Sequence, residues 1–444
     1  MMNTPICDFV KAYKEQKALR LHMPGHKGRE LLGMEGLDLT EIAGADSLYE
    51  AEGIIKESEG NASRLFGCPT FYSTEGSSHC IRAMLYLACL QAKASGRKPV
   101  IAAGRNAHKT FLTASVLLDF DPVWLTPEKP DSYLSCLLTP AEVERVLDEY
   151  PVTAVYLTSP DYLGNTADIA GIAAVCHAHG ALLLVDNAHG AYLHFLPEPV
   201  HPMDLGADLC CDSAHKTLPA LTGAAYLHIA QNADPFFTGE AKNALSLFGS
   251  TSPSYLILQS LDAVNGYLAD GYREKLAGFV RLTEECRERL TAQGYTFCGN
   301  EPLKLTVAAK PYGYRGTELA DLLREKNMEC EFADPDFLVA MVTPETGADG
   351  LTRLTEALLS VPRRTPAAEM PPRFSLPERV LSPREAAFSP GETLPAEACR
   401  GRVLAAVTVG CPPAVPIVVC GERIDDDAIA AFRYYGIETC TVIK

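Results

Sequence analysis

Two short stretches hold the residues best suited to chemistry. Ala181-Leu-Leu-Leu-Val-Asp-Asn-Ala-His-Gly190 ends an uninterrupted apolar run with an acid, and Cys210-Cys-Asp-Ser-Ala-His-Lys216 brings a lysine further along the chain. The run 181–185 is predicted to be a strand buried on both faces of a parallel sheet, which puts Asp186 at its carboxyl end, where open α/β sheets bind their ligands. An acid buried there needs a cationic partner. Leu205–Cys211 is predicted to be a second strand, delivering Ser213, His215 and Lys216 to the same rim. An acid facing a pyridinium nitrogen and a lysine able to form an imine are the two groups that pyridoxal phosphate (PLP) chemistry requires. The same acid also suits nucleotide or metal sites, and a lysine after a strand is also compatible with plain surface, so the pair alone leaves the ligand open.

Other segments bear on that choice. Tyr72-Ser-Thr-Glu-Gly-Ser-Ser-His79 opens a helical pattern in which Ile81, Met84, Leu85, Ala88 and Cys89 recur at helix spacing. Gly76, Ser77 and Ser78 then lie at a helix N-terminus, where free N–H groups, two hydroxyls and the helix dipole suit a phosphate; a plain N-cap at Ser77 is the other reading. Pro99–Ala103 is a further buried-strand candidate, leading into Gly104-Arg-Asn-Ala-His-Lys-Thr110. His108 would reach the same rim with a flat ring to stack on an aromatic cofactor. Lys109 is the rival imine-forming lysine. Lys216 is preferred because it follows Asp186 by one strand-helix-strand interval, whereas Lys109 adjoins a helix starting near Thr110. Leu21-His-Met-Pro-Gly-His-Lys-Gly-Arg29 crowds His22, His26, Lys27 and Arg29 into a turn, either a surface loop or one laid over an active-site mouth.

The elements that must position these residues alternate strand and helix, which predicts an α/β fold with a mostly parallel sheet and helical cover. We expect an N-terminal helical segment over 1–20, a large domain over 21–290, a small α/β domain over 291–365, and a linker with a C-terminal α+β domain over 366–444. Leu245–Tyr255 is expected to be a Ser/Thr-rich loop, and Pro362–Pro395 a linker with little structure of its own. At 444 residues and 47% hydrophobic, the chain can bury a large core. No span is apolar for long enough to cross a bilayer and the N-terminus lacks signal-peptide features, so we expect a cytoplasmic protein without a membrane partner. Fifteen cysteines without ligand-spaced doublets read as reduced, buried thiols rather than disulfides or a metal site. A formal charge of −17 argues against nucleic acid and suits a cationic small substrate.

Taken together, His22-Met-Pro-Gly-His-Lys-Gly28, Gly76-Ser-Ser78, Arg105-Asn-Ala-His-Lys-Thr110, Asp186-Asn-Ala-His-Gly190, Asp212-Ser-Ala-His-Lys216, Ser250-Thr-Ser-Pro-Ser-Tyr255 and the final Pro412-Pro...Gly421-Glu-Arg-Ile424 resemble the ornithine/lysine/arginine decarboxylase family. These are PLP enzymes of the aspartate aminotransferase-like fold (fold-type I), and the chain looks like the family's short form. The resemblance implies that Lys216 holds the coenzyme covalently, Asp186 pairs with its pyridine nitrogen and His108 stacks on its ring, while Gly76, Ser77, Ser78 and Ser213 receive the phosphate. It further implies that Thr251 and Ser252 are lent to a neighbouring subunit's cofactor site, hence a homodimer or higher homo-oligomer. Glu422, with His189 and His26, is expected on the substrate side, Glu422 meeting the distal cation. The chain departs from the family at His79, at Pro412-Pro-Ala414 and at Cys420-Gly-Glu422, the last two on the presumed substrate loop.

The reaction so implied is loss of CO₂ from arginine, lysine or ornithine, with Asp186 keeping the ring nitrogen protonated and Lys216, His215 or His189 returning a proton to Cα. The same Asp and Lys would serve an aminotransferase or a carbon–sulfur lyase. A catalytically silent protein on the same fold is the alternative from another class.

Overall fold

A computed structural model of the chain describes residues 2–128, 132–411 and 415–444. The contacts divide it into two compact units: Met1–Lys98 with Leu182–Lys275, and Pro99–Ala181 with Leu276–Lys444. The fold class is α/β with a mostly parallel sheet, as expected.

In the first unit, strands β1 (Thr70–Ser73), β5 (Leu182–Asp186), β6 (Leu209–Asp212) and β7 (Ala225–Ile229) run in the order β1-β7-β6-β5. β5 and β6 are parallel, while β7 is antiparallel to both β6 and β1. β6 and β7 are buried along their whole length, which is why their sequences are apolar runs rather than alternations. Helix α1 (Pro5–Glu15) stops short of the predicted residue 20, because Lys17 takes a left-handed φ of 49°. Its first turn is capped from a distance: Asp262 accepts from the amides of Ile6 and Cys7, both at 2.9 Å, and from Ser58 Oγ at 2.6 Å. Helix α2 (Ile54–Phe66) precedes β1, and α3 (Ser77–Ala94) follows it, burying Ile81, Met84, Leu85, Ala88 and Cys89 as the periodicity predicts. A single helical turn, α7 (Ala214–Thr217), follows β6, and α8 (Pro235–Phe248) and α9 (Tyr255–Ala269) complete the unit.

Two expectations are corrected here. The strand predicted over Leu205–Cys211 begins only at Leu209, since 202–206 is a turn holding Gly206 at a φ of 98°. The loop predicted from Leu245 starts later, because Leu245–Phe248 is the last turn of α8.

In the second unit, β2 (Ile101–Gly104), β3 (Pro122–Leu125) and β4 (Ala154–Thr158) lie in the order β4-β2-β3, all parallel. Helices α4 (Lys109–Leu118), α5 (Pro140–Glu149) and α6 (Ile169–Ala178) alternate with them; α5 opens on a capping box in which Thr139 and Glu142 satisfy each other's amides. A four-stranded antiparallel sheet, β8 (Thr296–Cys298), β9 (Lys304–Ala308), β10 (Phe332–Ala333) and β11 (Phe337–Met341), is accompanied by α10 (Tyr272–Gln293), α11 (Gly316–Arg324) and α12 (Gly347–Leu359). Toward the C-terminus the predicted linker contains α13 (Pro383–Ala387), capped by Ser382 and Glu385, and β12 (Gly391–Pro395). β12 pairs with β15 (Thr439–Ile443) and β13 (Thr408–Cys411) with β14 (Val415–Val419). Helix α14 (Asp426–Tyr435) buries Ile429 and Phe432 among Leu404, Ile417, Val418, Ile424 and Val442. Among the described residues no helix is long and apolar enough to cross a membrane.

Candidate active site

Asp186 is the last residue of β5 and stands in register with Cys211 of the parallel β6. Parallel neighbours end on the same side, so Asp186 and the turn that follows β6 share one rim. Asp186 is buried; its Oδ1 accepts from the Ala188 amide at 3.2 Å and from the Cys211 thiol at 3.7 Å. Burial, then the charge of Asp186, pushes Cys211 well above the ordinary thiol value, which keeps it an S–H donor. Across the rim, α7 winds on from Ser213 and carries Lys216, whose Nζ lies 3.0 Å from Nε2 of the buried His189. His215 turns the other way: its Nδ1–H donates to the Ala224 carbonyl at 2.9 Å, and burial holds its imidazole below the ordinary value.

The α3 N-terminus belongs to the same unit. Gly76 is its N-cap at a φ of 73°, its amide donating to the Gly223 carbonyl at 2.8 Å. Glycine offers no capping side chain, and among the described residues no side chain caps α3; the Gly76 carbonyl accepts from the His79 amide at 3.2 Å. Ser213 Oγ donates to Ser77 Oγ at 2.8 Å, bringing a hydroxyl from the β6 turn to this helix end. Hydroxyls converging on an uncapped helix N-terminus form a cradle suited to a dianionic phosphate, and an added Cβ at Gly76 would meet nothing within 4 Å. This donor set, with a lysine amine and a buried acid on the same rim, fits pyridoxal phosphate. His79 is structural, bound between Ser73 Oγ at 2.8 Å and the Leu245 carbonyl at 2.6 Å.

Behind the rim lies a centre that sequence reasoning missed. Asp212 is completely buried; His201 Nε2 donates to it at 3.1 Å, His228 Nε2 at 3.0 Å and Asn187 Nδ2 at 2.7 Å. Burial by itself would raise this carboxyl, yet the two imidazoles hold it well below the usual carboxylate range. His201, Cys210 and Asp212 have the residue types of a metal site, their ligand atoms within 4.8 Å of one another. The ring protons argue otherwise: the Met203 amide donates to His201 Nδ1 at 3.2 Å, so the proton sits on Nε2 and points at Asp212. This is a hydrogen-bonded brace. The signal for it was a histidine in the apolar run Ala224-Ala-Tyr-Leu-His228, where a buried ring requires a partner.

The remaining predicted residues divide between the units. In the first, His26 bonds to Asp38 Oδ2 at 3.2 Å within its own loop and accepts from the Gly28 amide at 2.9 Å, while Thr251 and Ser252 are exposed between α8 and α9. In the second, His108 is the N-cap of α4, accepting from the Thr110 amide at 3.3 Å. Glu422, expected on the substrate side, is buried and ion-pairs with Arg105, Nη2 to Oε2 at 2.8 Å; the Val419 amide donates to the same oxygen at 2.8 Å. Arg105 also stacks on Trp124, 4.7 Å from the ring centroid. Pro412-Pro-Ala414 lies outside the described residues.

Comparison with solved structures first defines the fold. The fold is that of a lysine decarboxylase of Francisella novicida, with a TM-score of 0.79 over 99% of this chain and 81% of that one at 17% identity. Curated relatives include proteins named arginine decarboxylase from Bacillus subtilis (strain 168), 29% identical over 96% of this chain and 92% of the relative, and from Halalkalibacterium halodurans, 30% identical over 97% and 93%. The family model described as Orn/Lys/Arg decarboxylase, major domain, matches residues 4–350. The chain belongs to this family, and is an amino-acid decarboxylase by class.

Proposed function

We propose that the chain removes CO₂ from a basic α-amino acid with pyridoxal phosphate as coenzyme, arginine being the first substrate to test because full-length relatives carry that name. The single observation that supports this best is the convergence, on one rim of the first unit, of Lys216, His189, Asp186 and the Ser77–Ser213 pair.

When bound, pyridoxal phosphate supplies a conjugated pyridinium ring that takes up the electrons left as a bond to Cα breaks. Lys216 is the covalent anchor, Asp186 keeps the ring nitrogen protonated, and Ser77, Ser213 and the α3 amides hold the phosphate. Ser78, in the first turn of α3, joins them on the family resemblance, which also gives His108 the ring-stacking role. His189, 3.0 Å from Lys216 Nζ, takes or returns a proton at that amine, so either residue can reprotonate Cα. His215 is committed through Nδ1 to a backbone carbonyl and is the weaker candidate. Glu422 is paired with Arg105, so a substrate cation meeting it shares its carboxylate with that guanidinium. Exposed Thr251 and Ser252 are proposed to complete the site of a second copy, making the enzyme at least a homodimer; light scattering at monomer mass would contradict this.

The test is incubation of the PLP-loaded protein with arginine, lysine and ornithine, following CO₂ and the amine. Stoichiometric amine and CO₂ from one of them is expected. A keto acid without CO₂ would establish an aminotransferase, and no turnover with any coenzyme-bound amino acid would favour the silent alternative.

A further inference from the structure

The centre at Asp212 gathers four separate chain segments. Asn187 immediately follows Asp186 at the end of β5, and its main-chain N–H donates to the Cys211 carbonyl at 3.0 Å while its side chain reaches Asp212. His201 comes from the loop between His189 and β6, and His228 from β7. Asp212 itself is the last residue of β6, next to Ser213 and one turn before Lys216. An added Cβ at Gly190 would collide with Asn187 Oδ1, so the glycine that closes the Asp186–Gly190 turn leaves the room in which Asn187 sits. The residues on the coenzyme side and those on the buried side are thus direct neighbours in sequence, at both strand ends.

We propose that Asp212 is a positioning residue: through Asn187, His201 and His228 its carboxylate fixes the end of β6 against the end of β5, and so sets where Lys216 stands relative to Asp186. The inference rests on the proposed coenzyme site. A buried carboxylate satisfied on both oxygens by three donors has one low-energy arrangement, and an amide in its place turns its own N–H toward rings that are already donors. Replacing Asp212 therefore lets the β6 end move while the apolar strands behind it stay buried.

The experiment titrates pyridoxal phosphate into the full chain and into Asp212→Asn, Asn187→Ala and the double variant, reading coenzyme affinity and the visible circular dichroism of the bound coenzyme, with far-ultraviolet circular dichroism to establish folding. Folded Asp212→Asn is expected to bind roughly tenfold or more weakly, the order of effect of a hydrogen bond to a buried charge, with an altered visible signal. Asn187→Ala is expected to lose less, and the double variant to lose less than the product of the two, because one bond is shared. Unchanged affinity and visible signal in folded Asp212→Asn would overturn the proposal, as would full independence of the two losses. If Asp212→Asn does not fold, Asn187→Ala decides alone: unchanged coenzyme binding and visible signal overturn the proposal. A wild-type chain that binds no coenzyme defeats the proposed function itself, a failure seen before any variant is made.

Discussion

Two buried carboxylates, Asp212 in the first unit and Glu422 in the second, solve the same problem differently. Among the described residues Asp212 meets no lysine or arginine, yet donors reach both of its oxygens and its carboxyl is held below the ordinary range. Glu422 has a guanidinium beside it, but both donors crowd onto Oε2, and burial leaves its carboxyl raised above the ordinary value. Among the described residues, Nε and Nη1 of Arg105 are buried without hydrogen-bond partners. The carboxylate with donors on both oxygens is thus the one held down, and the one whose donors share a single oxygen is the one left raised. Where the fold carries chemistry it uses the first arrangement; the second pins Gly421–Ile424 to the end of β2.

The largest effect should come from breaking the second arrangement on one side. Arg105→Met or Glu422→Leu alone strands a buried charge and should cost about 3–5 kcal/mol in denaturant unfolding, while the double variant should cost less than either. Additive losses would show that the pair contributes no coupling. Next, Asp212→Asn should lower the stability of the coenzyme-free chain by roughly 2–3 kcal/mol, the size expected for hydrogen bonds to a charge. Because its folded value is depressed, Asp212 contributes this stability above the unfolded carboxylate range and loses it only as pH falls through the folded value. An acid-unfolding midpoint unmoved by Asp212→Asn would contradict the brace.

A third buried acid sharpens the contrast. Asp334 accepts from the Asp336 and Phe337 amides on Oδ1, but among the described residues Oδ2 has no hydrogen-bond partner, and burial pushes the carboxyl up to about 6. The folded form holds this proton more tightly than the unfolded one, so the associated stability is full below pH about 4 and is lost as pH rises through about 6. Asp334→Asn should remove about 2 kcal/mol of that pH dependence, read as a flatter curve of melting temperature between pH 4 and 7. An unchanged curve would show that Asp334 is not the group responsible.

Sequence patterning revealed the site-bearing elements better than their buried supports. The apolar runs at β5 and β2 and the periodicity of α3 were legible because each burial face is written locally, and Asp186, Ser77 and Lys216 fall at element ends that such runs define. The partners of Asp212 were not, since Asn187, His201, Asp212 and His228 meet only through strand pairing and a loop. Arg105 and Glu422 lie 317 positions apart, and no local pattern links them. A helix in the C-terminal α+β domain was expected without bounds, although α14 carries a local signal, Asp425 capping it and apolar residues following at helix spacing. β1, four residues long and flanked by helices, carries too little pattern to stand out.

The central claim is that Lys216 is the covalent anchor of the coenzyme. Borohydride reduction of the PLP-loaded protein, followed by peptide mapping in a mass spectrometer, tests it directly. We expect the phosphopyridoxyl mass on the peptide containing Lys216, and its absence in Lys216→Ala. Label on Lys109, or no label after saturation with the coenzyme, would contradict the account.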